Sequence, residues 1–359
     1  MSNRLDSFSQ EELLGRPSPP LELIGAEERI AGRRVAITGA AGSVGGPLTR
    51  RLAQLDPAEL LLVDHHEHTL FQLQQEMGRE GKVPIRWALA DVRDRRKMDR
   101  LFREARPEVV FHLAAYKHVP LGESNPDQTV DVNLEGLRAV IESAAEAGAS
   151  RFVYPSSDKA VDPPSVYGGT KRIAEALTLA ANSLFPMGLS VSRFVNIVGT
   201  RGSVIELLAA QVAAGNPLGL TNPGMTRYWI TMPEALRLLL QTAAAPEPGI
   251  VMMADTPSPI GLVDLARHLH RLLCEPGGEC LIQYIGARPG ERMHEILLSH
   301  TERAEATPYP GLVQVRSSRG DYPPYEELSR QVDLLLEIAS AGQLSSLRGR
   351  VLDLANTLQ

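Results

Sequence analysis

The chain has 359 residues, 43% hydrophobic and 22% charged, with a formal net charge of −6, long enough for two domains or one large domain with an appended lobe. The acidic balance without a basic block argues against nucleic acid as a partner, and two cysteines, Cys274 and Cys280, are too few for a disulfide framework and lack zinc-site spacing. No run approaches the roughly 18 apolar residues of a membrane span, and the opening MSNRLDSFSQEELLG has no signal-type apolar core, so a soluble, unexported, cytoplasmic protein without membrane insertion is expected.

Residues 1–30, with Pro17, Pro19 and Pro20, read as a leader that packs on a domain. From residue 31 short β-rich runs alternate with helical patterns: RRVAIT (33–38), ELLLVD (59–64), IRWALAD (85–91), EVVFHLA (108–114), RFVYPSS (151–157) and LSVSRFV (189–195). The amphipathic stretches GPLTRRLAQL and LEGLRAVIESAAEAG lie between them. Such alternation predicts an α/β fold, a doubly wound parallel sheet with helices on both faces. Beyond Asn196 the rhythm breaks into Gly- and Pro-rich pieces, GTRGSV, GNPLGLTNPGMTR and ARPGER, which suit a smaller lobe. The division expected is a main unit over 31–195 plus 228–250, a lobe over 196–227 plus 251–320, and helices over 321–359. There is no internal repeat.

TGAAGSVGG follows the first strand and opens a helix. Gly39, Gly42 and Gly45 there let the backbone approach a pyrophosphate, whose charge sits at the helix N-terminus. Asp64 ends the next strand, where a carboxylate would accept bonds from ribose hydroxyls. No arginine stands beside Asp64 and His65 to neutralise a 2′-phosphate, so NAD is favoured over NADP. Ser43 and Val44 in the turn, and His65, Asp91, Val92, Ala114 and Ala115 at the strand ends, complete the cofactor set, with Asp91 facing the adenine. His65, His66 and His68 could ligate metal, but no distant ligands with their own spacing accompany them, so no metal is expected.

SSDKAVDPPSVYGGTK (156–171) sets Tyr167 four residues before Lys171. On a helix the two share a face, and the ammonium would depress a phenol pKa that is ordinarily about 10. Such a tyrosinate deprotonates an alcohol as hydride leaves for a nicotinamide. Asp158 and Lys159 are either an acid-base pair or a salt-bridging turn.

These motifs resemble the extended short-chain dehydrogenase/reductases, and among them the UDP-N-acetylglucosamine 4,6-dehydratases of polysaccharide biosynthesis. ELLGR looks like the linker before the catalytic domain of the membrane-anchored members. LLVDHHEHTLFQL, HLAAYKHVPLGESNP, SSDKAVDPPSVYGGTKR, RFVNIVGTRGSVI, NPGMTRYWITMPEA and ARPGER follow in the family's order. The resemblance covers nearly the whole chain and implies a Rossmann domain with a C-terminal substrate lobe, NAD, and a UDP-N-acetylhexosamine converted to a 4-keto-6-deoxy product. It implies that Asp158 and Lys159 handle elimination while Tyr167 and Lys171 handle redox, with Ser157 hydrogen-bonded to the oxygen on carbon 4. Lys117, His118, Asn133 and Asn196 are the sugar-side candidates, and Arg201, Arg227 and Arg288 the diphosphate clamps.

Three departures stand out: serine replaces threonine at 157, tyrosine stands at 167 where many anchored relatives have methionine, and their membrane segments are missing. The rival readings are a sugar 4-epimerase, which has no need of Asp158 and Lys159, and a non-catalytic NAD-binding protein. A homo-oligomer is expected.

Overall fold

The computed structural model describes residues 7–18, 22–78, 83–256, 258–274 and 278–359, so Pro19 and Pro20 of the leader lie outside the described residues. Nine strands form the main sheet: β1 (Arg34–Thr38), β2 (Glu59–Asp64), β3 (Ile85–Leu89), β4 (Val109–His112), β5 (Arg151–Ser157), β6 (Gly188–Phe194), β7 (Val251–Ala254), β8 (Glu302–Ala306) and β9 (Leu312–Ser317). Their spatial order is β3-β2-β1-β4-β5-β6-β7-β9-β8. The first seven in this order run parallel, and β9 and β8 close the edge antiparallel. Strand order reverses between β1 and β4, which opens a crevice at their carboxyl ends.

The run LLLV of β2 shows why this sheet is covered on both sides. Leu60 and Leu62 enter the core on one face, Leu61 and Val63 the core on the other, and all four are at most 1% exposed. A strand buried on both faces reads as a continuous apolar run rather than an alternating one.

The division of the second half differs from the expectation. β7 and the β8–β9 hairpin belong to the main sheet, although the sequence reading placed 251–320 in the lobe. VMMA is too short to stand out among loop-rich neighbours, and ERAEA is an exposed edge strand whose composition gives no strand signal. The lobe proper consists of helices Val204–Ala213 and Leu262–Leu273 with two small strand pairs, Leu218–Leu220 beside Ile282–Tyr284 and Thr226–Arg227 beside Ile260–Gly261.

The leader packs on both parts. Leu13 and Leu14 join the lobe's core, whereas Ala26 and Ile30 are buried beneath the sheet. Arg16 pairs with Glu234 at 3.0 Å. The C-terminal helices Tyr325–Ser340 and Leu344–Thr357 lie against helix Val166–Ala180, in which every residue but Leu179 is buried.

Candidate active site

The crevice begins at the turn after β1. Gly39 has φ +70°, and a Cβ there would sit 2.7 Å from the Ala114 nitrogen. A Cβ at Gly45 would sit 2.0 Å from the Gly39 carbonyl oxygen. Only glycine lets strand, turn and helix Gly45–Ala53 come together this closely, and the space so left suits a pyrophosphate.

Two clefts meet at this turn, one of about 950 Å³ and one of about 280 Å³. The smaller is lined by Asp64, His65, Asp91, Val92, Ala114 and Ala115, and Gly39 and Gly42 line both. Ser43, Val44 and Gly45 line the larger. Asp64, 7% exposed, accepts from the Ala41 and His66 N–H groups, each at 2.9 Å, one on each carboxylate oxygen. Each oxygen keeps further acceptor capacity for a ribose. The Asp91 carboxylate is engaged by Arg93 at 2.7 Å, which holds its pKa below the ordinary value, so it borders the smaller cleft as half of an ion pair. His66 caps helix Glu67–Met77, and among the described residues no group of three or more His, Cys, Asp or Glu is placed to hold a metal.

The larger cleft holds the reactive side chains. β5 ends at Ser157, the short turn Asp158–Ala160 follows, and helix Val166–Ala180 starts one residue before Tyr167. Asp158 is 1% exposed, and its Oδ1 accepts from Ser157 Oγ and Lys159 Nζ, each at 2.9 Å. Its Oδ2 is buried with no partner. Lys159 Nζ lies 3.2 Å from Glu295 and 3.4 Å from Asn196 Oδ1. Burial alone would lower the lysine's pKa, but Asp158 and Glu295 outweigh it and hold the ammonium above its ordinary value. Desolvation alone would favour a neutral amine, and the site instead holds a charged lysine between two carboxylates.

A second correction concerns Tyr167. Burial pushes its phenol above the ordinary value, and the opposing pull comes from the Lys159 charge and the Ser157 hydroxyl, not from Lys171. Lys171 Nζ donates instead to the Pro155 carbonyl at 2.7 Å and lies 4.5 Å from the Tyr154 ring centre. Burial brings Lys171 down to about 7. Beneath it His112, bonded through Nδ1 to Thr38 Oγ1 at 2.7 Å, is fully buried and stays neutral with a pKa of about 3.

The substrate-side candidates divide. His118, Asn196, Arg227 and Arg288 line the larger cleft. Arg227 donates to the Thr226 and Met293 carbonyls and lies 3.4 Å from Glu295. Lys117 also lines the cleft, but its ammonium donates to the Arg201 carbonyl at 2.9 Å. Arg201 sits over the glycine-rich turn, with its guanidinium on the Ala41 carbonyl at 2.8 Å. Asn133 lies off the clefts: it is 2% exposed, and its amide is committed to the Tyr116 backbone and Thr170 Oγ1. It shapes the segment after β4 rather than facing a sugar.

Sequence reasoning missed Glu295 and Arg292. Both line the cleft: Arg292 is the last residue of ARPGER and donates to the Val161 carbonyl at 3.1 Å, and Glu295 stands three residues further on. A carboxylate in a loop has no periodicity to mark it, and only the fold brings Glu295 to Lys159.

The fold and site together define an extended short-chain dehydrogenase/reductase. Residues 35–317 match the family model described as "Polysaccharide biosynthesis protein", and the chain belongs to that family. It is 36% identical to the capsular polysaccharide biosynthesis protein CapD of Staphylococcus aureus over 338 residues, 93% of this chain and 55% of that protein. The chain spans 55–59% of the length of the curated relatives it matches over most of its own length. The inverting UDP-N-acetylglucosamine 4,6-dehydratase of Campylobacter jejuni (strain 81-176) is 31% identical over 273 residues, 75% of this chain and 78% of that one.

Among solved structures, Pen from Bacillus thuringiensis aligns with TM-score 0.74 and 28% identity over 86% of this chain and 99% of its own. DesIV, a dTDP-glucose 4,6-dehydratase from Streptomyces venezuelae solved with NAD, shares the fold at TM-score 0.65 and 20% identity, covering 74% of this chain and 88% of that one. The cofactor expected from the sequence is the one DesIV holds. Relatives of this kind include a UDP-glucose 4-epimerase of Rickettsia canadensis as well as dehydratases. Among the described residues no helix is long and apolar enough to cross a membrane.

Proposed function

We propose that this chain is an NAD-dependent nucleotide-sugar 4,6-dehydratase acting on a UDP-N-acetylhexosamine, with UDP-N-acetylglucosamine the first substrate to try. The observation that carries the reading is the Asp158–Lys159 pair, 2.9 Å apart, with Lys159 lining the same cleft as Tyr167. A 4-epimerase has no use for it. The resemblance to the Campylobacter jejuni dehydratase supports the same reading.

The glycine-rich turn and Asp64 would hold the dinucleotide, which when bound supplies a nicotinamide able to take hydride from carbon 4 and give it back at carbon 6. Once it has given up its own proton, which the Lys159 charge and the Ser157 hydroxyl favour against burial, the Tyr167 phenolate takes the proton of the carbon 4 hydroxyl, with Ser157 hydrogen-bonded to that oxygen. The ketone so formed acidifies the proton on carbon 5.

Elimination needs a base at carbon 5 and an acid at the carbon 6 hydroxyl. One proton passing from Lys159 Nζ to Asp158 creates both at once, a neutral amine and a carboxylic acid, and no proton leaves the site. The amine takes the carbon 5 proton, and Asp158 gives its proton to the departing hydroxyl, which leaves as water. Lys159 then returns a proton to carbon 5. The transferred proton arrives on Asp158 Oδ1, the oxygen that accepts from Lys159 Nζ at 2.9 Å. General acid-base catalysis of this kind contributes about 100- to 10,000-fold.

The test is incubation of the purified protein with UDP-N-acetylglucosamine, UDP-N-acetylgalactosamine and UDP-glucose, followed by mass spectrometry. Loss of one water from a UDP-N-acetylhexosamine is expected. Interconversion at carbon 4 without loss of mass would make the protein an epimerase.

A further inference from the structure

We propose that Arg201 clamps the cofactor rather than the substrate: it straps segment 196–203 across the glycine-rich turn and keeps the dinucleotide from leaving. The inference rests on the NAD reading above. Three hydrogen bonds make the strap. Arg201 Nη2 donates to the Ala41 carbonyl at 2.8 Å, the Arg201 backbone N–H donates to Ser43 Oγ at 3.1 Å, and Lys117 Nζ donates to the Arg201 carbonyl at 2.9 Å. Ala41 is thus gripped from both sides, because its own N–H goes to Asp64 at 2.9 Å.

Placement separates Arg201 from the other two arginines. Arg227 and Arg288 line the larger cleft alone, whereas Arg201 lines both. Every other described residue lining the smaller cleft comes from the first 132 of the chain. Arg201 is therefore the point where the second half of the chain reaches over the cofactor crevice.

The chemistry fits a dinucleotide pyrophosphate. A guanidinium presents five donors in a planar fork. One of its nitrogens is committed to Ala41, and the remaining donors lie beside the turn where the backbone approaches the phosphates. Serving a substrate diphosphate in the lobe would require Arg201 to release Ala41 and draw its segment off Ser43. With the strap in place, a dinucleotide spanning both clefts exchanges slowly.

The experiment follows NAD on the intact protein as purified. NAD released by heat is quantified, and a chase with isotopically labelled NAD, without sugar nucleotide, gives the release rate. UDP alone is titrated in parallel, and the unfolding temperature of the cofactor-free protein is recorded. Arg201→Ala should release NAD about ten- to a hundred-fold faster, as expected for loss of hydrogen bonds to a charged group, with UDP affinity unchanged. Arg201→Lys should be intermediate. Lys117→Met, which frees the strap from its far side, should shift release in the same direction by less, and it keeps the test alive if the alanine variant does not fold.

A wild-type protein that retains NAD alongside variants that release it at the same rate would overturn the strap. Weakened UDP binding with unchanged NAD release would return Arg201 to the substrate side. A lowered unfolding temperature with unchanged NAD release would make its role structural only. A wild type that binds no NAD would overturn the cofactor reading, and the strap with it.

Discussion

Helix Val166–Ala180 touches two charged clusters built on opposite principles. On its far side Arg172, Glu175, Arg193 and Glu302 form a closed quartet, each at most 3% exposed in its side chain. Arg193 meets Glu175 and Glu302 at 2.9 Å each, and Arg172 meets Glu302 at 3.1 Å and Glu175 at 3.2 Å. Two positive and two negative charges balance, and both carboxylates have both oxygens engaged. Beside Tyr167, the cluster of Ser157, Asp158, Lys159 and Glu295 is left incomplete. Asp158 keeps a buried oxygen without a partner, and Lys159 meets both carboxylates while Arg227 adds a second cation 3.4 Å from Glu295. A closed quartet fixes geometry, whereas an open one has somewhere to put a proton. Buried ionic groups are costly unless fully satisfied, so the open cluster marks where stability yields to chemistry.

The contrast is broken most directly by Asp158→Asn. The substitution removes the acid and the proton store, and dehydration should fall by about 100- to 10,000-fold while NAD content and UDP binding persist. Steady-state rates with equilibrium titrations check this, and a variant that keeps its rate would make the open cluster ornamental. Glu302→Gln tests the other side. Removing one member of a buried ion-paired set typically costs about 3–5 kcal/mol, so the unfolding midpoint should drop steeply while turnover per folded molecule is retained. Arg193 and Arg172 hold the Glu302 carboxyl down to about 2, below an unfolded value near 4.3, so the stability it contributes is full at neutral pH and lost as pH falls from about 4 toward 2.

Glu295→Gln sharpens the comparison by removing one anion from beside Lys159. With less to hold the ammonium, the limb of the kcat/KM pH profile that reports Lys159 should move to lower pH, by about one unit or more. An unmoved limb would detach Glu295 from the lysine. A slope rather than a single loss is expected at Lys171, whose folded pKa of about 7 lies below the roughly 10.4 of the unfolded chain. Between those values the unfolded chain holds a proton that the folded protein does not, so the cofactor-free wild type should gain stability relative to Lys171→Met as pH rises from about 7 to 10. Denaturant midpoints measured across that range check the slope, and a flat difference would contradict the burial argument.

β1, β2, β4, β5 and β6 were legible because each is buried on both faces and so writes a largely apolar run, whereas β7 of the same parallel set was too short to stand out. ELLLVD and RFVYPSS coincide with β2 and β5 to the residue. The β8–β9 hairpin was not legible, since an edge strand such as ERAEA is exposed and needs no apolar residues. Tyr167, Lys171, Asp158 and Lys159 could be read together because they fall within one short stretch. Glu295 reaches Lys159 from 136 positions away, the difference between 295 and 159, and no local pattern signals that approach. Arg201 was read as a diphosphate clamp from its chemistry alone. Which diphosphate it faces depends on where the loop crosses the sheet, which a sequence does not state. The same holds for Asn133, whose polarity suggested a ligand while its position commits it to backbone.

The central claim, that Lys159 and Asp158 perform an elimination, is tested by turnover of UDP-N-acetylglucosamine in deuterated water with wild type and Lys159→Met. The wild-type product should have lost one water and should carry solvent deuterium at carbon 5, because the lysine returns a proton from an exchangeable group. The methionine variant should still show carbon 4 oxidation as transient nicotinamide reduction, slowed because the Lys159 charge no longer favours the Tyr167 phenolate, and should show neither water loss nor deuterium at carbon 5. Full dehydration with carbon 5 exchange in that variant would contradict the account.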